Sequence, residues 1–281
     1  VMKKFVYSIC ALFAAATISF AQDVNEATDL FNAAVEYLNL GDKASALENF
    51  QKAYDIAKEC GEAGQALVDQ CESTIPQLAL MVAKDYVKAG DYATAVAKAK
   101  EASAIAASMG ADASVAEAEA LIPNIYMQQG NTLLKAKDYE GAIKAYSENV
   151  ALNPSNGKAY VNMAASYDKL GQTDKAEENY MLAAANGQEK AANKALGNIY
   201  LKKAIAANKA KDFEQAIAHA NKSISFNETS KAHYVIGLAA QNSNKLELAI
   251  SAFEKYLELD PTAGNAQDVR TVVDALKKAK K

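Results

Sequence analysis

The side chains best suited to chemistry are few. Two histidines, His219 and His233, and three cysteines, Cys10, Cys60 and Cys71, are the chain's whole stock of imidazole and thiol. Two histidines without clustered cysteines do not make a metal site. No phosphate-cradling glycine loop, no Gly-x-Ser-x-Gly turn and no Cys-x-x-Cys pair occurs. The 34 acidic residues are scattered at the spacing of solvated helix faces, with no paired carboxylates set in a cleft. Asn227-Glu228-Thr229 matches a glycosylation acceptor and reads more simply as a turn. These absences argue against an enzyme and against a cofactor. What remains is a supply of Lys, Asn and Gln on helical segments, the side chains that bond peptide groups and carboxylates.

The elements that must position them are clearest from Gly130 to Gly171. Leu133, Leu134 and Ala136 give one apolar face and Lys137-Asp138 a turn; Tyr139, Ala142, Ile143, Ala145 and Tyr146 give a second face at three-and-four spacing. Asn153-Pro154 stops the second helix, because proline lacks an N–H and disfavours helical geometry in the residue before it. The same unit starts again at Ala27, Pro76, Pro123, Gly157, Gly197 and Ser230. Its eighth residue is Ala34, Ala83, Gly130, Ala164, Ala204 or Gly237, and its twentieth is Ala46, Ala95, Ala142, Ala176, Ala216 or Ala249. The twenty-fourth is aromatic at Phe50, Tyr146, Tyr180 and Phe253, with Ala99 and Ala220 as exceptions. Small residues at two fixed columns let paired helices cross closely, and an aromatic column fills the space between hairpins.

This pattern resembles the tetratricopeptide repeat (TPR), a unit of 34 residues folded as two antiparallel helices. The resemblance runs from Ala27 to Pro261 and implies an all-α fold: an α-solenoid of about six helix-turn-helix hairpins, near residues 27–60, 76–109, 123–156, 157–190, 197–229 and 230–262. Residues 263–281 then read as a capping helix, with Val269, Val272, Val273 and Leu276 on one face and the lysines from Lys277 to Lys281 solvated. The chain departs from the family in its fourth column, which is Leu30, Ala79, Tyr126, Tyr160, Tyr200 and His233 and never Trp. It also departs in spacing, with steps of 49, 47 and 40 residues beside the regular 34 and 33. The long steps end in matching stretches, Cys71-Glu72-Ser73-Thr74-Ile75-Pro76 and Ala118-Glu119-Ala120-Leu121-Ile122-Pro123. They read as extensions of a first helix, kinked or restarted at each proline, with Gly61 and Gly110 ending the helices before them. The step of 40 reads as a longer first helix in the fifth copy. Cys60 and Cys71 could pair in an oxidising compartment; if a helix begins near Glu62, however, Cys71 lies over two turns along it, which favours two buried thiols. His233 is expected in the core and His219 on an exposed face.

In this family the first helix of each hairpin lines a concave groove that takes extended peptides or partner helices. Carried onto this chain, the groove positions are Phe31, Asn32, Val35 and Asn39; Leu80, Lys84 and Lys88; Met127, Gln128, Asn131 and Lys135; Lys158, Asn162, Asp168 and Lys169; Asn198, Lys202 and Lys209; and Lys231, Tyr234 and Gln241. The set is rich in Asn, Gln and Lys and holds almost no carboxylate, which implies a neutral-to-acidic segment as ligand. Some members clamp a terminal carboxylate with a Lys-Asn-Asn-Lys-Arg set. Asn131, Asn162 and Lys202 fall on three of those positions, while Met127 and Asn198 stand where lysines are expected.

Residues 1–21 hold Lys3 and Lys4, an apolar run of about 16 residues from Phe5, and Ser19-Phe20-Ala21. This is the layout of a secretory signal peptide cleaved after Ala21, the run being shorter than the roughly 20 residues of a spanning helix. No integral membrane segment is expected after cleavage. The two leader lysines are lost with it and no acidic residue is, so the mature chain is more negative than the formal charge of −4. Arg270 is the only arginine, and bidentate recognition of phosphates and bases favours Arg. Nucleic acid is therefore a poor partner. The expected role is a non-enzymatic protein–protein adaptor of the bacterial cell envelope, periplasmic or secreted, with self-association through an end as an added possibility. The alternative is a carbohydrate- or peptidoglycan-associated binding module.

Overall fold

The computed structural model describes residues 21–279, with side chains from Asp23 onward. The signal peptide expected over 1–21 thus lies outside the described residues, Ala21 excepted, and so do Lys280 and Lys281. Among the described residues there is no strand, and no helix is long and apolar enough to cross a membrane. The chain divides into two compact units at Gln129–Gly130, inside one helix.

The first unit contains α1 (Ala21–Leu40), α2 (Lys43–Glu59), α3 (Gln65–Ala89), α4 (Tyr92–Ser108) and most of α5 (Asp112–Lys135). Consecutive helices from α1 to α4 pack on one another. Phe31 and Phe50 meet edge to face with centroids 5.0 Å apart, and they share one buried cluster with Leu67, Ile75, Leu78 and Leu80. A smaller cluster joins Ala83, Ala95, Ala99 and Ile125. Pro76 and Pro123 lie inside α3 and α5, so each extension runs continuously into the first helix of its copy and does not restart. A proline deletes one helical N–H; in α3 the buried row Leu67, Cys71, Ile75, Leu78 and Val82 holds the helix together across that gap.

The second unit starts at the end of α5 and continues through α6 (Tyr139–Leu152), α7 (Gly157–Lys169), α8 (Thr173–Ala183), α9 (Glu189–Lys209), α10 (Phe213–Phe226), α11 (Ser230–Asn242), α12 (Leu246–Leu259) and α13 (Ala266–Ala279). From α6 on, each helix packs on the next, and α9 also touches α11 directly, bringing first helices of successive hairpins side by side. The expected long first helix is α9, entered through a π turn at Ala184–Gln188 in which Gly187 takes a φ of 81°. Val269, Val273 and Leu276 bury one face of α13 against the preceding hairpin.

The hairpin turns share one device. A residue with positive φ closes each first helix: Gly41, Gly90, Lys137, Gly171, Lys211 and Asn244. In four turns the next residue is an aspartate, Asp42, Asp91, Asp138 or Asp212, whose Oδ1 accepts the N–H three residues on at 2.9–3.2 Å. These are N-caps that satisfy an otherwise orphaned donor. Hydrogen bonds from Ser45 and Thr94 hold the Asp42 and Asp91 carboxyls below the usual aspartate range. Ala136, read as part of an apolar face, falls in such a turn and is exposed.

Both small columns are buried in every copy. Their partners differ from the simple crossing expected. A Cβ on Gly130 would lie 2.5 Å from the Tyr146 ring, and one on Gly237 would lie 2.5 Å from the Phe253 ring. In these two copies the eighth residue is glycine because the aromatic of the twenty-fourth lies against it.

Candidate functional site

The candidate site is the face that the first helices of the second unit share. On α7 the residues Lys158, Val161, Asn162, Ala165 and Asp168 recur at three and four, and on α9 Asn198, Leu201, Lys202, Ile205 and Lys209 repeat that phase. Two side-chain links tie neighbouring helices along it. Asn162 Nδ2 donates to Asn131 Oδ1 at 3.1 Å, joining α7 to the end of α5, and Lys202 Nζ lies 3.4 Å from Asp168 Oδ2, joining α9 to α7. Asn131 Oδ1 also accepts the Tyr146 hydroxyl at 2.9 Å. Burial pushes the Tyr146 phenol up to about 12, the Asn162 amide offsetting part of the rise. A buried, neutral phenol thus anchors one of the two asparagines from below.

The remaining candidates divide by environment. Lys135, Lys158, Lys209 and Lys231 are exposed and have no carboxylate partner among the described residues. Tyr234 is half-buried, its ring 5.0 Å from Tyr256 and 5.9 Å from Phe253, so most of it serves packing. Sequence reasoning missed the apolar floor between the lysines: Val161, Leu201 and Leu238 are half-buried and Ile205 is 38% exposed. Their signal was present, since they stand at the fifth and ninth positions of their copies, but only burial shows that they reach the surface.

In the first unit, Met127 and Gln128 are half-buried and exposed, respectively. Phe31 and Leu80, both carried over as groove positions, belong to the core: the first packs on Phe50 and the second is 1% exposed. Both share one buried cluster with Leu67, Val68, Cys71 and Ile75 of the extended α3. Lys84 and Lys88 are not free cations. Lys84 pairs with Glu117 at 2.7 Å, and Lys88 with Asp85 at 3.1 Å, where Lys43 also binds. Burial would raise the Asp85 carboxyl, but hydrogen bonds from both lysines hold it low.

A polar cluster outside this face was not anticipated. Glu177 on α8 accepts the Tyr200 hydroxyl and sits 2.9 Å from Lys203 Nζ and 3.8 Å from Lys222 Nζ. Both ammonium groups lie over the Tyr200 ring, at 5.2 and 4.4 Å from its centroid. Partial burial raises the Glu177 carboxyl; the hydrogen bonds and the two positive charges outweigh that and hold it below 4.5. His219, expected on an open face, is half-buried beside Tyr200 with ring centroids 6.0 Å apart. His233 is mostly covered and bonds Glu228 at 3.0 Å. Cys60 and Cys71 are both buried free thiols. Burial and the nearby Glu72 push Cys71 up to about 12. Among the described residues no three His, Cys, Asp or Glu side chains gather as metal ligands.

Family models described as tetratricopeptide repeat match residues 133–199, 30–60 and 230–262. This is a tetratricopeptide-repeat protein. The repeat models leave out residues 61–132, where the first helices are extended. The chain is 50% identical over 44 residues to Hsp70-Hsp90 organizing protein 1 of Arabidopsis thaliana, 16% of this chain and 8% of that protein. It is 26% identical over 140 residues to a TPR repeat-containing protein of Methanocaldococcus jannaschii, 48% of this chain and 25% of the other. The TPR chain therefore spans a quarter or less of the length of these relatives. Among solved structures it is similar to YrrB, described as a TPR protein with an unusual peptide-binding site, at 22% identity and a TM-score of 0.36, covering 55% of this chain and 77% of that one.

Proposed function

We propose that this TPR chain is a non-enzymatic adaptor of the bacterial cell envelope that binds another protein through the first-helix face of its second unit. The observation that carries the reading is the composition of that face: four unpaired lysines, the linked amides of Asn131 and Asn162, and the apolar floor of Val161, Leu201, Ile205 and Leu238. Unpaired ammonium groups beside a partly wet apolar surface fit a segment that carries both carboxylates and apolar side chains, and amides in the same face can bond an extended backbone. A relative named Hsp70-Hsp90 organizing protein 1 shares a 44-residue stretch of the chain, which supports protein binding as the class of activity. A terminal-carboxylate clamp is less well served, since Lys202 already faces Asp168. The envelope location rests on the leader-like residues 1–21, and the N-terminal sequence of the protein recovered from a periplasmic or medium fraction tests it: a start at Gln22 supports export.

The binding reading is tested by capture of partners on residues 22–281 from an envelope extract, read by mass spectrometry, beside a variant with Lys158, Asn162 and Lys202 changed to Ala. A partner held by the parent and lost by the variant supports it. A partner held equally by both removes the binding from this face. Recovery of cell-wall polymer without protein would overturn the adaptor reading in favour of carbohydrate binding.

A further inference from the structure

Helix α1 differs from the rest of the molecule in charge. Between Ala21 and Leu40 it holds Asp23, Glu26, Asp29 and Glu36 with no Lys or Arg, and it is the only described α-helix without a basic residue. All four carboxylates are exposed, and among the described residues none has an ion-pair partner. The opposite side of the helix, Ala27, Phe31 and Ala34, is committed to the core of the first unit. On the open side, Tyr37 and Leu40 are 38% and 81% exposed, and Leu30 and Ala33 floor a shallow hollow edged by Glu26 and Asp29. Uncompensated negative charge interleaved with exposed apolar side chains is one half of an interface.

The other half is present in the same chain. The first-helix face of the second unit carries unpaired Lys135, Lys158, Lys209 and Lys231 around Val161, Leu201, Ile205 and Leu238. Four unpaired carboxylates and an apolar strip on one surface match four unpaired lysines and an apolar floor on another. The geometry points to a second copy of this chain as an occupant of that face, with the open side of α1 from one copy lying on the first helices of the second unit of the next. This rests on the reading of that face as a binding surface and names one ligand for it. The donor and acceptor surfaces differ, so the contact is heterologous, and copies add head to tail unless the rotation closes a ring. Charge pairing across a wet rim sets register and on-rate and is screened by salt.

The test is sedimentation velocity on residues 22–281 across a concentration series. One variant reverses the acids (Asp23→Lys, Glu26→Lys, Asp29→Lys, Glu36→Lys) and a second reverses the bases (Lys135→Glu, Lys158→Glu, Lys209→Glu, Lys231→Glu). The parent is expected to gain mass with concentration and to lose it at high salt. Each variant alone, with helicity by circular dichroism equal to the parent, is expected to associate at least about tenfold more weakly. An equimolar mixture of the two is expected to recover association, because reversed α1 then meets reversed lysines. Should either variant fail to fold, the isosteric set Asp23→Asn, Glu26→Gln, Asp29→Asn and Glu36→Gln replaces it, with weakened association expected. A parent that stays monomeric at every concentration, a variant that associates like the parent, or a folded mixture that does not recover overturns the inference. A monomer that still captures a partner through Lys158, Asn162 and Lys202 sinks self-association alone. Self-association without capture of another protein sinks the adaptor reading alone.

Discussion

Replacing Gly237 with alanine sets two well-known effects against each other. Mid-helix, Gly→Ala gains about 1 kcal/mol because alanine loses less backbone freedom on folding. Here the new Cβ would stand 2.5 Å from Cδ1 and Cε1 of Phe253 and 2.9 Å from Cγ. Carbon atoms rest at roughly 3.5–4.0 Å, so the ring must retreat by about 1 Å. Phe253 is 1% exposed and packs on Tyr234, leaving it nowhere to swing. Overpacking of this kind costs about 1–3 kcal/mol, giving a net loss of up to about 2 kcal/mol. At about 2–4 °C per kcal/mol for a chain of this size, the melting temperature should fall by a few degrees. Copies with Ala in the eighth column and an aromatic in the twenty-fourth, such as Ala34 and Phe50, bury both residues fully, so the clash is specific to hairpins whose ring already fills the place of a methyl group. The decisive assay is a double-mutant cycle by urea unfolding. In a Phe253→Ala background, which reproduces the Ala204 and Ala220 pairing, Gly237→Ala should stabilise by about 1 kcal/mol. The two backgrounds should then differ by about 1–3 kcal/mol, beyond the roughly 0.5 kcal/mol scatter of independent sites. Equal stabilisation in both backgrounds would refute the claim that the ring determines the glycine.

Three further outcomes follow from the cluster, the thiols and the turns. Glu177→Gln should destabilise by about 1–3 kcal/mol at pH 7, since Lys203 loses its carboxylate; because the folded carboxyl lies below its ordinary value of 4.5, its contribution is present above that pH and lost as pH falls through the folded value, so denaturation curves of variant and parent should converge on acidification. Cys71, with its thiol pushed up to about 12, should resist alkylation at pH 8 until the chain is unfolded, and intact mass under non-reducing conditions should show two free thiols after the leader is removed; rapid labelling of the native protein would contradict its burial. Asp138→Ala should cost about 1 kcal/mol by thermal unfolding through loss of the bond to the Gly141 N–H, and Asp138→Asn should recover most of it; equal loss in both would show that charge and not capping matters.

Much of the architecture is legible in the residues because its rules are local. A turn that needs a left-handed residue and an N-cap writes Gly-Asp or Lys-Asp into the chain, and a helix buried on one side writes its three-and-four spacing. Small residues in the eighth and twentieth columns are readable for the same reason: a close approach excludes anything larger in every copy. The long first helices were harder. Pro76 and Pro123 each carry a local signal to break, yet both lie inside continuous helices; at Pro76 the apolar packing along α3 overrides the signal, which no window of sequence shows.

The site was legible only in part. Residue type and column suggested the lysines and asparagines, but whether a lysine is available depends on residues far along the chain. Lys84 is answered by Glu117 and Lys202 by Asp168, whereas Lys158, Lys209 and Lys231 stay unpaired. Phe31 and Leu80 hold groove columns and still lie in the core. The residues alone establish that this chain is a series of helix hairpins, that one turns at Lys137-Asp138 and which faces must be buried, because helix periodicity, capping and close crossing act over a few residues. Tertiary structure alone decided which charges are spent on one another and which apolar side chains remain at the surface, because both depend on side chains about 30 residues apart meeting in space.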